Sequence, residues 1–280
     1  MAVSFTVMSD FSSPRLLILG AHPDDCEFHA GGLAARYRRL GYAVKMISVT
    51  PGDVGHHEIS GPALAKVRTN EAAKAAAVIG AESEVWPFPD GSLTPSLDLR
   101  WKIIREIRTW RPSVVLTHRP NDYHPDHRAV GQAVQDASYM VTVPMLLPDV
   151  PIVAKDPIVG YLPDKFTKPT PLQADVVIDV GNELDTIVNL LAAHDSQMFN
   201  WLPYNRGELD QIPKEHGARL VWLKGWHGAR LREQADRFRK ELIAAYGPER
   251  GAKVEYAEAF EISEYASKLT PEAKARLFPL

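Results

Sequence analysis

The stretch LLILGAHPDDCEFHAGG, residues 16–32, decides how this chain is read. Its first part is an unbroken apolar run ending at Gly20, the pattern of a strand buried on both faces. Its second part crowds His22, Asp24, Asp25, Glu27 and His29 together. A loop that only turns the chain needs Gly, Pro, Asn or Asp, not a set of imidazoles and carboxylates. HAGGLAARYRRLG (29–41) then reads as a helix stopped by Gly41, and AVKMISVT (43–50) as a second strand. Strand, helix and strand with short joins make a βαβ unit, which implies parallel pairing and a right-handed crossover.

The alternation continues outward. ALAKVRTNEAAKAAAVIG (63–80) predicts a helix closed by Gly80, and EVWPF (84–88) a short strand before the turn PDG (89–91). LDLRWKIIREIRTW (97–110) places Leu99, Ile103, Ile107 and Trp110 on one helical face. SVVLTH (113–118) predicts a strand and HPDHRAVGQAVQDASYM (124–140) a helix. Between Val143 and Pro171 prolines are dense, which fits a long irregular connection with one strand around PIVGYL (157–162). ADVVIDV (174–180) and KVEYAEAFEIS (253–263) predict strands, ELDTIVNLLAAHDS (183–196) and ARLREQADRFRKELIAAYG (229–247) helices. The expected fold is α/β and Rossmann-like: a mostly parallel sheet flanked by helices, with a smaller C-terminal addition. We expect a single domain over residues 1–280, with a core at about 15–142, the Pro-rich connection at 143–171 and the addition at 172–280.

Composition narrows the function classes. With 45% hydrophobic and 24% charged residues, the chain has an ordinary globular make-up. A formal charge of −3 gives no bulk electrostatic reason for a nucleic-acid or anionic-membrane partner. One cysteine, Cys26, excludes an intrachain disulfide framework and fits a reducing compartment. The N-terminal segment has no basic stretch followed by an apolar run, and nothing approaches the ~20 apolar residues that span a bilayer. The expectation is a cytoplasmic protein without membrane insertion.

In open α/β sheets, ligands collect outside the carboxyl ends of the strands. Two predicted strands end in polar clusters there. AHPDDCE supplies His22, Asp24, Asp25 and Glu27; SVVLTHRPNDYHPDH supplies His124, Asp126 and His127, with His118 and Asp122 just before. Pro125 suits a first helical turn, which sets His124 and His127 one turn apart. Histidine and aspartate together suit a catalytic Zn²⁺, where three protein ligands leave a fourth position for water. The ion lowers that water's pKa to about 7, and a spare carboxylate can take its proton. Adjacent side chains point in different directions, so Asp24 and Asp25 divide the work: one for metal, one for the proton. Each residue also has a plainer reading. Asp24 or Asp25 could cap the following helix, Cys26 could fill the core beside Asp25, and His56, His57 and Glu58 could belong to a solvated loop rather than touch substrate.

AHPDDCE followed by AGG, with HPDH farther on, resembles the PIG-L/LmbE-like zinc-dependent N-deacetylases related to N-acetylglucosaminyl-phosphatidylinositol de-N-acetylase. The resemblance runs through RTNEAAKAAAVIG (68–80), FPDGSL (88–93) and AAHDSQ (192–197), and covers roughly residues 15–200. It implies His22, Asp25 and His127 as zinc ligands and Asp24 as general base. It also implies His124 as the residue that stabilises the oxyanion or protonates the leaving amine, with Asp126 orienting it. Arg68 and His194 would face the substrate. Certain members use a tyrosine shortly before HPDH; Tyr123 stands at a different offset and is given no role. The implied reaction is removal of the N-acetyl group from an N-acetylglucosamine-type sugar or conjugate, a small-molecule substrate. The alternatives are an amidase acting on another acyl amide of an amino sugar or thiol conjugate, and a metal-dependent phosphoesterase, which commonly needs a second cation. A nucleotide-binding module is disfavoured, because the first turn lacks G-x-G-x-x-G and sets two carboxylates where a pyrophosphate would lie. Family members are often multimeric, so a homo-oligomer is left open.

Overall fold

The computed structural model describes the backbone at Val7–Met8 and residues 13–280. Strand β2 (Arg15–Gly20) explains its own apolar run. Leu16 and Ile18 enter one hydrophobic core and Leu17 and Leu19 another on the opposite face, and all four are fully buried. Truncating any of them to alanine would cost about 2–5 kcal/mol.

Around β2 lie β3 (Ala43–Ser48), β4 (Glu82–Val85), β5 (Val114–Thr117), β7 (Ile158–Tyr161), β8 (Val176–Asp179) and β9 (Ala257–Ile262). Their spatial order is β4-β3-β2-β5-β7-β9-β8. The first five run parallel, while β9 pairs antiparallel with both β7 and β8. The short strands β1 (Val7–Met8) and β6 (Ile152–Val153) form a separate parallel pair. This is the α/β, mostly parallel sheet that the alternation predicts.

Helices α1 (Asp25–Arg39), α2 (Gly61–Ile79), α5 (Leu184–Ala192) and α7 (His216–Arg237) contribute to the core on the Leu16 side. Helices α3 (Leu97–Trp110) and α4 (Pro125–Ala137) cover the Leu17 side. The chain also forms α6 (Leu202–Asn205), α8 (Arg239–Tyr246), α9 (Pro248–Lys253) and α10 (Pro271–Leu277).

Three elements depart from the sequence expectation. Helix α1 starts at Asp25 rather than His29, and Ala30 inside it is non-helical (φ −141°, ψ 21°). The second part of the helix is recapped by Glu258 of β9, whose carboxylate accepts from the N–H groups of Gly32 (2.7 Å) and Leu33 (2.9 Å). Gly32 is required there, since a Cβ would lie 2.5 Å from Val180 Cγ1 and 2.9 Å from Glu258 Oε1. Farther along, Arg36 donates to the carbonyl of Pro279 (2.9 Å) and Tyr37 to that of Leu277 (2.6 Å). The last long helical region is two helices, α7 and α8, and begins at His216 rather than residue 229. Finally, the helix expected to reach residue 196 stops at Ala192, and a π-helical turn occupies Ser196–Trp201.

Candidate metal centre

The carboxyl ends of β2 and β5 bring the two polar clusters together. After Gly20 the chain turns sharply. Asp24 takes φ 113°, ψ −26°, a conformation that non-glycine residues adopt only when their surroundings hold them there. The turn sends the neighbouring carboxylates opposite ways. Asp25 Oδ2 accepts from the His22 N–H (2.7 Å) and faces the imidazoles, whereas Asp24 Oδ2 accepts from Gln197 Nε2 (3.2 Å). Asp25 and Gly20 are so close that a Cβ on Gly20 would lie 2.6 Å from Asp25 Cβ.

Three histidines face Asp25: His118 Nε2 is 3.2 Å from Oδ2, His22 Nδ1 is 3.4 Å from Oδ2 and His127 Nε2 is 3.5 Å from Oδ1. The outer nitrogens of His22 and His127 each meet carboxylates. His22 Nε2 lies 3.3 Å from Asp90 Oδ1 and 3.4 Å from Asp126 Oδ2, and His127 Nδ1 lies 3.1 Å from Asp122 Oδ1. A tetrahedral zinc with ligands at about 2.1 Å separates its ligand atoms by roughly 3.4 Å, close to the contacts that His22 and His127 make with the two separate oxygens of Asp25. Carboxylates behind metal-binding histidines are the usual device for fixing ring orientation and tautomer. Among the described residues, three overlapping trios have ligand atoms within 4.8 Å of one another: His22–His124–His127, Asp25–His118–His127 and His22–Asp90–Asp126.

The charges reflect this packing. Burial alone would lower the pKa of His22, but the carboxylates of Asp126, Asp25 and Asp90 outweigh it and hold it well above the usual histidine range. Burial would raise Asp25, yet His127, His118 and His22 hold it well below the carboxylate range. Asp24 behaves in the opposite sense. Burial and the adjacent Asp25 push it up to about 7, against smaller contributions from His194 and Arg68.

The remaining candidates fall into place around this cage. His124 caps α4: its Nδ1 accepts from the Asp126 N–H (3.2 Å), which leaves Nε2 as the N–H donor of the neutral ring. Its ring meets that of His22 edge-on at 4.5 Å. The Asp126 carboxylate does not orient His124, contrary to the sequence expectation. It is fully buried and accepts from the N–H groups of Gly91 (2.7 Å) and Leu93 (3.1 Å) while facing His22. Arg68 is 2% exposed, and its guanidinium ties the carbonyls of Gly52 and Gly55 to Gln197 Oε1. One turn on, Glu71 accepts from Ser196 N (2.9 Å) and Ser196 Oγ (2.6 Å). Arg68 and Glu71 thus anchor the π-helical turn that carries Gln197 to Asp24. His194 is fully buried with Nε2 3.3 Å from Glu27 Oε1. Cys26 is buried, its thiol near the carbonyls of Ile18 (3.6 Å) and Ile47 (3.7 Å). His56, His57 and Tyr204 stack in series beside Gly55, and Tyr123 stands exposed with its ring 5.4 Å from that of His127.

Two participants, Asp90 and Gln197, lie in segments quoted above but are not singled out by sequence. Asp122 and His118 stand in the second polar cluster of the sequence reading without a role of their own. His118 is 1% exposed, stacks on His127 at 3.8 Å, and its Nε2 accepts the Ala21 N–H (3.1 Å). The same nitrogen lies 3.2 Å from Asp25 Oδ2, so His118 packs against both His127 and the cage carboxylate.

Comparison with known proteins bears directly on this constellation. The family model for PIG-L, the GlcNAc-PI de-N-acetylases, matches residues 17–138. A 1D-myo-inositol 2-acetamido-2-deoxy-alpha-D-glucopyranoside deacetylase of Rhodococcus opacus is 30% identical over 241 residues, which is 67% of this chain and 82% of that protein. The chain belongs to the PIG-L family. The chain is also similar to a protein of other chemistry: a 4-oxalmesaconate hydratase of Pseudomonas putida is 24% identical over 203 residues, 70% of this chain and 78% of that one. Among solved structures, the N,N'-diacetylchitobiose deacetylase of Pyrococcus horikoshii shares the PIG-L fold with a TM-score of 0.68 at 19% identity, covering 91% of this chain and 85% of that one. As a PIG-L protein the chain is an enzyme, and its His/Asp cage is a possible metal site. Among its described residues no helix is long and apolar enough to cross a membrane.

Proposed function

We propose that this PIG-L enzyme hydrolyses the N-acetyl group of an N-acetylglucosamine-type sugar or conjugate, releasing acetate and a free amine. The observation that carries the reading is the division of labour between Asp24 and Asp25. One carboxylate faces the histidines of the cage, and its strained neighbour is turned the other way toward Gln197, with no ion-pair partner among the described residues. Zinc, when bound by His22, Asp25 and His127, supplies a Lewis acid and lowers the pKa of water. Asp24 takes the proton of the attacking water and passes it toward the departing nitrogen. His124 offers its Nε2–H to the developing oxyanion, since its Nδ1 is committed to the Asp126 N–H. Gln197 orients Asp24, and Arg68 holds Gln197.

The sugar rests on the deacetylase relatives, and other acyl amides of amino sugars or thiol conjugates fit the same chemistry. A second reading is favoured by the Pseudomonas putida relative: addition of water across a carbon–carbon double bond of an unsaturated polycarboxylate, with Asp24 as base and His124 as donor. The deciding experiment is an acetate-release assay over N-acetylated sugars, with and without chelator, alongside metal analysis and an absorbance assay with 4-oxalomesaconate. Chelator-sensitive acetate release supports the deacetylase. Loss of the diene absorbance with no acetate replaces it with the hydratase.

A further inference from the structure

Helix α2 carries two charged side chains one turn apart, and both reach the turn that leads to Asp24. Arg68 and Glu71 are 2% and 7% exposed, so neither presents its charge to solvent. Their spacing sets them on one face of the helix. Glu71 gives one carboxylate oxygen to the Ser196 N–H (2.9 Å) and the other to the Ser196 hydroxyl (2.6 Å). Bonds from separate oxygens to the main chain and the side chain of one residue fix its rotation as well as its position. Arg68 grips the next residue, Gln197, by its side-chain oxygen. The segment held in this way, Ser196–Trp201, is a π-turn, a geometry that is rare in proteins and concentrated at functional sites.

The clamp decides more than place. An amide side chain can sit either way round, with oxygen and nitrogen exchanged. A guanidinium only donates, so Arg68 takes the oxygen of Gln197 and leaves the NH2 group to Asp24 Oδ2, 3.2 Å away. Among the described residues this is the one side-chain hydrogen bond that Asp24 makes. One carboxylate oxygen is thereby held, and Oδ1 is left open. The opposite orientation would set two acceptors face to face and release the carboxylate.

We propose that Glu71 is a positioning residue for the general base. By locking Ser196 it keeps the Gln197 amide in line between Arg68 and Asp24, which makes Asp24 Oδ1 the oxygen that takes the proton. The proposal rests on the reading of Asp24 as the base and holds for either reaction considered above. Glu71 acts through Ser196 and Gln197 and touches no reacting atom. Its removal frees the π-turn to shift, and a misplacement of about 1 Å at a catalytic group costs on the order of 10²-fold in rate.

The test uses the metal-loaded full chain, with acetate release from N-acetylglucosamine and N,N'-diacetylchitobiose and the absorbance assay with 4-oxalomesaconate. On whichever substrate turns over, E71L should lower kcat by about ten- to hundredfold, with KM and zinc content unchanged. E71Q should recover most of that loss: its amide oxygen accepts from the Ser196 N–H, and the hydroxyl turns to accept from its NH2 group. S196A keeps the main-chain bond and should fall between the two. In a Q197L background E71L and S196A should cost nothing further, since both act through an amide that is already gone. A residue that only supports the fold would give losses that multiply. An undiminished kcat in E71L and S196A, a raised KM with kcat kept, or multiplying losses overturns the proposal; if E71L does not fold, S196A alone carries the comparison. If no substrate turns over, the reading of Asp24 fails separately, and hydrogen exchange of the Gln197 side-chain amide, assigned by its loss in Q197L, decides about the clamp. Slow exchange that quickens in S196A and E71L but not in E71Q sustains it; equal exchange in every variant overturns it.

Discussion

Asp122 Oδ1 lies 3.1 Å from His127 Nδ1, while Nε2 of the same ring faces Asp25. In the proposed zinc site this carboxylate would select Nε2 of His127 as the coordinating nitrogen. Asp122→Ala is expected to weaken zinc binding by about 10–100-fold. Competition against a chromophoric chelator measures this directly, and unchanged affinity would remove Asp122 from the account.

Asp24 separates catalysis from metal binding. Asp24→Asn should retain zinc and lose roughly 10²–10⁴ of kcat, the range for a positioned general base. It should also raise the melting temperature, since it removes a buried charge beside Asp25 and asparagine tolerates positive φ better. His22→Ala should lose the metal instead. Metal content, turnover and thermal unfolding of the two variants check the assignment; a zinc-free Asp24→Asn protein contradicts it.

Gly20 leaves room for the cage. An added Cβ would lie 2.6 Å from Asp25 Cβ, with Cys26 Sγ at 3.3 Å, so the methyl of Gly20→Ala displaces the first turn of α1. The expected cost is about 1–3 kcal/mol of stability, as for overpacking elsewhere, with a loss of zinc affinity. Urea unfolding read alongside metal titration separates the two effects.

Glu258 gives a pH signature far from the chemistry. Burial pushes its carboxyl up to about 7 despite the two N–H groups and the nearby Arg36 and Arg230. The folded chain therefore holds this proton more tightly than the unfolded chain. The Glu258 contribution to stability is greatest below about pH 4.5 and declines as pH rises through 7, by up to about 3 kcal/mol. Glu258→Gln removes this dependence. Its stability deficit relative to the natural chain should shrink between pH 5 and pH 8 in denaturant titrations; a constant deficit would show that the carboxyl does not titrate in that range.

What could be read from sequence follows the range of the interactions. The β2 run and the AHPDD and HPDH clusters are local signals, and each is placed at a strand end as expected. The start of α1 was misread because the helix is held from afar: Asp24 is forced to positive φ and Ala30 leaves the helix, with Glu258 recapping it from β9. The first half of α7 was missed because Gly217, Gly225 and Gly228 dilute a face otherwise marked by Leu220, Leu223, Trp226 and Leu231. Nothing local in residues 257–262 says that they insert antiparallel between β7 and β8. Within the site, closeness in sequence paired Asp126 with His124. The structure instead turns that carboxylate back onto Gly91, Leu93 and His22.

The bonds from Arg36 and Tyr37 to Pro279 and Leu277 fasten the helix that bears Asp25 to residues at the opposite end of the chain. Trimming residues 277–280 in a shortened protein would therefore loosen the mounting of the Asp25 carboxylate, almost the whole chain length away. Crystallographic or biochemical work that discards that tail for convenience would be studying a weakened cage.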